Sequence, residues 1–238
     1  VPRALSLKVR DELLDAIRAG DFTDGRLPPE SALAAQLGVS RTTVRAALQS
    51  LAADGLVTRR RRHGTVVNAH LLRASMPLNR LVSFHALIEQ CGHEASADPQ
   101  EVRTGGVPEV AAPALGVEPG AHCVLVDRLL RAGSRPVIAI RDVVPLERLR
   151  VDPSEVRPAD STFDFLAADG VAPAAYATSD IVPLVADRGH PRGLRIPPGR
   201  AYVELRETLF SSDHERIAFS SVAVDDAMVR LSLLRREG

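Results

Sequence analysis

Arg41, Thr42, Thr43 and Arg45 stand close together in the chain and are residue types suited to reading a DNA duplex. Arginine bonds bidentately to a guanine edge, a threonine methyl meets a thymine methyl, and hydroxyls reach phosphates. A block of four arginines follows, Arg59, Arg60, Arg61 and Arg62, and charge concentrated in this way suits a polyanion. A solvated charge run is the plain alternative. A second constellation comes later in the chain. Arg128, Arg141 and Glu207 each fall, by strand alternation, on the side of the apolar residues. Two inward guanidinium forks match the carboxylate or phosphate of a small anion, and an inward carboxylate takes a hydroxyl, amine or amide. The alternative for these three is an internal Arg–Glu ion pair holding a sheet.

The composition limits what these residues can serve. The chain has 238 residues, enough for one or two domains, and its 30 basic and 30 acidic residues cancel. The cancellation hides a split: residues 1–70 carry a net charge of +4 and residues 71–238 a net of −4. With 45% hydrophobic and 25% charged residues the chain has enough apolar surface to offset the entropy of ordering. No run of about 18 apolar residues and no leader-like start occurs, so neither a membrane span nor a secretory signal is expected, and a cytoplasmic location follows. Val1 stands where a start Met is expected, which points to a trimmed N-terminus. Cys91 and Cys123 are too few and too isolated for a disulfide framework or zinc cluster and read as small core hydrophobes. The seven histidines are scattered without metal-ligand spacing, so no metal and no cofactor is expected. No phosphate-cradling glycine loop or nucleophile elbow occurs either.

The elements that must position the first constellation are helical. Leu5, Val9, Leu13, Leu14 and Ile17 form one apolar stripe on a helix that Gly20 ends. Pro28-Pro29-Glu30 predicts the start of a second helix, because proline loses no needed hydrogen bond in the first turn and Glu favours the positive end of the dipole. This helix should run over 30–37. Gly38-Val39-Ser40 makes a tight turn, Ser40 caps, and a third helix begins at Arg41. Val44, Ala47, Leu48 and Leu51 bury one face of it, leaving Arg41, Thr42, Thr43 and Arg45 outward. Helix, tight turn, helix is the helix-turn-helix arrangement, whose second helix enters a major groove. Strands at 56–60 and 65–68 around Arg61-Arg62-His63-Gly64 make a basic hairpin, a candidate wing. The plain alternative is a three-helix structural bundle with solvated arginines. Residues 69–79, weakly periodic and containing Pro77, are the expected linker.

Leu27-Pro-Pro-Glu, Leu33-Ala-Ala-Gln-Leu-Gly-Val-Ser-Arg-Thr-Thr-Val-Arg, Ala47-Leu, Asp54-Gly-Leu-Val and Gly64-Thr together resemble the winged helix of the GntR family of bacterial transcription regulators, over about residues 5–68. Two positions depart from the family pattern: Ser31 stands where an Arg that touches DNA is common, and Ala46 where Glu is common. The resemblance implies DNA contacts at Ser40, Arg41, Thr43 and Arg45 and at the wing residues Arg62, His63 and Gly64.

The second half of the chain reads as an α+β domain with an antiparallel sheet. Strands are predicted at 123–132 and 136–144 around Gly133-Ser134, and at 202–210 and 217–224 around a turn at 211–214. Helices are predicted at 83–91 and 161–168. This layout, with Leu81-Val-Ser-Phe, Leu115-Gly-Val, Pro119-Gly, Asp127-Arg128, Arg135-Pro136-Val137, Glu207-Thr, Phe219-Ser220 and Asp225, resembles the HutC-type subfamily, whose UTRA domain has a chorismate-lyase-like fold. The resemblance implies that the domain dimerises and binds an effector. It adds Ser83, Phe84 and His85, at the loop opening the first helix, to Arg128, Arg141 and Glu207 as effector contacts. Sensors of amino-sugar phosphates carry a second Arg two residues beyond the first; Leu130 stands there, which leaves a carboxylate, a phosphonate or another compact anion.

The expectation is therefore a homodimeric, effector-responsive repressor. A winged helix-turn-helix at 1–68, a linker at 69–79 and a UTRA-like domain at 80–238 would bind an inverted repeat in double-stranded operator DNA, with affinity altered by a small anion. The competing readings are a lyase-like enzyme on the second domain, which rests on fold analogy alone, and a DNA-binding protein without an effector.

Overall fold

A computed structural model describes residues 2–22, 24–60, 64–68, 75–77, 81–98, 101–156, 161–187, 191, 193–225 and 229–232. Backbone contacts divide the chain into two units, residues 1–79 with 232–238, and residues 80–231.

In the first unit, the stripe predicted on helix α1 (Pro2–Ala19) is buried through Val9, Leu13, Leu14 and Ile17. It packs with α2 (Glu30–Leu37) and α3 (Arg41–Ala53) in one core that includes Leu33, Val44, Ala47, Leu48, Leu51 and Val57. Gly38 ends α2 in the left-handed conformation at φ 64°, its amide closing on the Ala34 carbonyl. The hairpin is present as β2 (Val57–Arg60) and β3 (Gly64–Val67), and β3 also pairs with β1 (Arg26–Leu27), giving an antiparallel sheet of order β1-β3-β2. Strand β1 has no counterpart in the sequence reading, since two residues are too few to show alternation. Beneath the helices, Arg10 is buried and donates to Asp54, just past the end of α3, at 2.9 Å.

The stretch expected as a linker contains a short strand, β4 (Ser75–Pro77); residues 69–74 and 78–79 lie outside the described residues.

The second unit is built on a seven-stranded antiparallel sheet. Its strands are β5 (Ala95–Ala97), β6 (Glu101–Gly106), β7 (His122–Ala132), β8 (Arg135–Pro145), β9 (Tyr176–Val185), β10 (Ala201–Phe210) and β11 (Arg216–Val224). The order is β5-β7-β8-β11-β10-β9, and β6 joins β5 along the outer edge of β7. Both predicted hairpins, β7/β8 and β10/β11, are formed. Helices α4 (Phe84–Gln90) and α6 (Thr162–Asp169) begin within a residue of the predicted starts, on caps from Ser83 and Ser161, and a one-turn helix, α5 (Ala112–Leu115), lies between them in the chain. A final strand, β12 (Arg230–Ser232), follows. Strand β9 is unforeseen: it is the sheet's edge, wet on both sides along much of its length, so its side chains show no contrast between faces.

Apolar groups cover both faces of the central strands. One face packs Val124, Val126, Val144 and Leu209 against Phe165 and Leu166 of α6. The other packs Cys123, Leu125, Val143 and Phe219 against Ala112 and Leu115 of α5. Register assigns each polar residue to a face. Arg128 opposes Ile140, Ser220 opposes Asp142, and Glu207 opposes both Ser220 and Ser179, so these share the α6 face. Arg141 opposes Asp127 and Ser221 and belongs to the α5 face. Among the described residues no helix is long and apolar enough to cross a membrane.

Candidate DNA-reading surface and effector pocket

The end of α3 that should read DNA is held from within. Ser40 adopts extended backbone, accepts the Thr43 amide at 3.1 Å and shares a hydrogen bond with the Thr43 hydroxyl at 2.8 Å. This satisfies a first-turn amide and fixes the turn bearing Arg41, Thr42 and Thr43. Arg41 and Arg45, one turn apart, are exposed, while Val44, Ala47, Leu48 and Leu51 anchor the opposite side in the core.

Arg45 does not hang free. It donates through Nε (3.1 Å) and Nη2 (2.9 Å) to Oε2 of Glu30, while Oε1 of the same carboxylate accepts from Nη2 of Arg59 on β2 at 2.6 Å. The hydrogen bonds from Arg45 hold the Glu30 carboxyl below the usual carboxylate range, with the charges of Arg45, Arg59 and Arg41 adding to the effect against a smaller desolvation penalty. Gly64 opens β3 at φ 79°, a conformation that glycine adopts readily. Arg62 and His63 lie outside the described residues.

In the second unit the N-termini of α4 and α6 converge on the sheet. Ser83 accepts the Ala86 amide and Ser161 the Asp164 amide, each as a helix cap. Ser83, Phe84, Ser161 and Thr162 then line a narrow cavity over Ile140, Glu207, Ser220 and Val222, with space of about 10 Å³. Glu207 is half-buried and accepts from Ser179 at 2.7 Å. Burial raises its carboxyl above the usual range; the Ser179 hydrogen bond opposes the shift and the charge of Asp142 adds to it.

The expected grip of two arginines on one anion is not built. Arg128 lies fully buried and is tied to Asp142, which also accepts from Thr162 and Ser220. Arg141 points from the opposite face and makes a two-pronged pair with Asp127 at 2.6 and 3.0 Å. Nor is there an Arg–Glu pair: each arginine has an aspartate, and Glu207 has neither arginine. Alternation misplaced Arg141 because apolar residues line both faces of β8, so sharing a side with them did not identify the cavity. His85 sits near Glu89, 3.8 Å from its carboxylate, and is not among the cavity's walls. Arg141 instead borders a wider groove of about 610 Å³ with Asp127, Leu129, Tyr202, Arg206 and Phe219.

Residues 5–67 match the bacterial regulatory proteins of the gntR family, and residues 90–224 match the UTRA domain. The chain belongs to the UTRA-containing GntR regulators. An uncharacterized HTH-type transcriptional regulator of Rhizobium meliloti is 28% identical to it, covering 97% of this chain and 94% of the relative. The histidine utilization repressor of Pseudomonas aeruginosa is 40% identical across 28% of this chain and 27% of its own. Among solved structures, YydK from Bacillus subtilis superposes with a TM-score of 0.71 at 12% identity, covering 98% of this chain and 99% of that one. PhnF from Mycobacterium smegmatis gives 0.59 at 23% identity, covering 97% and 100%. These two establish likeness of fold. The relatives are named as transcription regulators, so this GntR chain is a regulator rather than an enzyme, and the lyase-like alternative falls away.

Several residues that organise these GntR sites escaped the sequence reading. Asp127 opposes Arg141, and Asp142 lies two residues along β8 from the residue that opposes Arg128, so the hairpin register, had it been known, would have found both. Arg59 and Glu30 are 29 positions apart and meet only through the tertiary fold. Thr162 was visible only as part of a helix start.

Proposed function

We propose that the protein is a homodimeric repressor that reads an inverted repeat in operator DNA and is released by a small effector bound over Glu207. The observation that carries the DNA half is the turn bearing exposed Arg41 and Arg45 and half-buried Thr43, capped by Ser40 and anchored by a buried apolar face. The wing residues Arg62, His63 and Gly64 are added as DNA contacts on the family likeness alone. Phosphate contacts supply affinity, and the α3 side chains supply sequence choice. The name of the histidine utilization repressor, a relative matching 28% of this chain, supports the repressor reading.

The effector half rests on the convergence of Ser83, Phe84 and Thr162 with Glu207 and Ser220. Because Arg128 is matched by Asp142 and Arg141 faces away, the contacts on offer are hydroxyls and one carboxylate. They favour a compact effector that presents hydroxyl, amine or amide donors to Glu207 over one recognised through its negative charge. Space of about 10 Å³ holds roughly one water, so a larger effector binds by parting the helix N-termini from the sheet. That movement supplies the difference between two states on which any effector response depends.

The test is fluorescence anisotropy on DNA from upstream of the protein's own gene beside a scrambled duplex. Binding that exceeds the scrambled control, weakens with salt and requires Arg45 supports the reading. Metabolites that release the DNA are then sought, and Glu207→Gln should keep operator binding while blunting that release. Equal, weak binding to both duplexes argues against the chosen operator; failure across a genome-derived library argues against the reading.

A further inference from the structure

Glu30 is the first residue of α2, a place where an acid is ordinarily explained by the helix dipole. A local role of that kind asks only for negative charge near its own helix. Here both carboxylate oxygens turn to other elements, Oε2 to Arg45 on α3 and Oε1 to Arg59 on β2. One anion thus joins the recognition helix to the first strand of the wing hairpin, across 15 and 29 positions of sequence.

The pairing is made along one side of Arg45, through Nε and Nη2. The side chain is still 53% exposed and Nη1 takes no part in these two bonds, which leaves the guanidinium a face for a guanine edge. A long side chain on a helix surface samples many rotamers, and holding it before DNA arrives removes part of the ordering cost of binding. The same carboxylate cancels one positive charge among Arg41, Arg45 and Arg59. It therefore weakens attraction to phosphates of every sequence alike.

We infer that Glu30 is a specificity-determining positioning residue: it aims Arg45 and ties it to the wing strand, trading general affinity for DNA for discrimination between sequences. The inference rests on the assignment of α3 as the recognition helix and adds a residue that need not touch DNA. Removing its charge should loosen Arg45 and strengthen binding without regard to sequence. That combination is not expected from a residue that only supports the fold.

The test uses the full chain. Preferred duplexes are selected from a random pool with the wild type and again with Glu30→Gln, which keeps the side chain's size. Affinity for the wild-type selected duplex and for a shuffled one is measured across a salt series. The expected ratio of selected to shuffled affinity falls about tenfold, within the range for one lost bidentate base contact. Shuffled binding is retained or tightened, with a salt dependence steeper by up to about 0.9 in the logarithmic slope. The Glu30→Gln motif should blur at one base pair in each half-site and stay sharp elsewhere. Adding Glu30→Gln to Arg45→Ala should cost no further discrimination.

An unchanged motif with an unchanged ratio overturns the proposal. So does a parallel loss of affinity for both duplexes accompanied by a fall in melting temperature, which marks Glu30 as structural. Full additivity of the two substitutions overturns the route through Arg45. A wild-type chain that enriches no sequence overturns the recognition-helix assignment beneath it, a failure distinct from the others.

Discussion

The Arg128–Asp142 pair sits with both side chains sealed from solvent, where an unpaired charge is costly. Asp142 is bonded by Arg128, Thr162 and Ser220 together, so the pair also fixes the first residue of α6 against β11. Asp142→Ala should cost about 3–5 kcal/mol by stranding the arginine, seen as a large fall in the urea midpoint. A loss below about 1 kcal/mol would mean that water reaches Arg128. Glu207 behaves in the opposite sense. Its folded-state pKa is raised, chiefly by burial, so the native protein holds its proton more tightly than the unfolded chain does. The stabilisation from this is complete below the unfolded pKa and is lost as pH rises through the folded one. Glu207→Gln should therefore raise the melting temperature at neutral pH and leave it little changed in acid. Parallel pH profiles for the two proteins would contradict the burial of this carboxyl.

The short turn between α2 and α3 sets the angle of the reading helix, and two residues hold it. Ser40→Ala removes the cap on the Thr43 amide and should cost about 1 kcal/mol. It should also weaken operator binding beyond what the lost stability explains, because Arg41 and Thr43 sit in the turn that frays. Gly38 stands at φ 64°, and a Cβ there meets nothing within 4 Å. Gly38→Ala should thus cost only the backbone penalty, about 1–2 kcal/mol, measurable by denaturation, with the DNA-binding motif unchanged. These elements were legible in advance: α2, the start of α3 and the two later hairpins fall where proline, capping serine, glycine and alternation put them. The strands β1 and β9 were not, one being too short and the other too exposed to carry a pattern.

At the scale of the whole molecule, an acidic balance in residues 71–238 and a basic one in residues 1–70 leave the attraction for DNA to the winged helix. A dimer reading an inverted repeat should bind two chains per duplex. Scrambling one half-site should reduce affinity by at least tenfold, since the second head gains from its effective concentration only if both sites can be engaged. Sedimentation of labelled duplex with the full chain gives the stoichiometry, and one chain per duplex would contradict the proposed dimer. Linkage requires any inducer that weakens operator binding by some factor to be weakened by operator DNA by the same factor; calorimetry with and without the duplex would show it.

What the amino-acid order determined alone were the features that depend on neighbours in the chain. The helix-turn-helix with Arg41 and Arg45 outward, the cap at Ser40, and the two hairpins follow from 3.6- and 2-residue periods and from turn chemistry. Tertiary structure decided which charges meet. Glu30 reaches Arg45 and Arg59 across 15 and 29 positions, Arg128 is matched by Asp142 rather than by a ligand, and Arg141 lies on the far side of the sheet from Glu207. The reason is physical: alternation tells which side chains share a face, but only the packed helices α5 and α6 determine what each face meets, and both faces of these strands are covered.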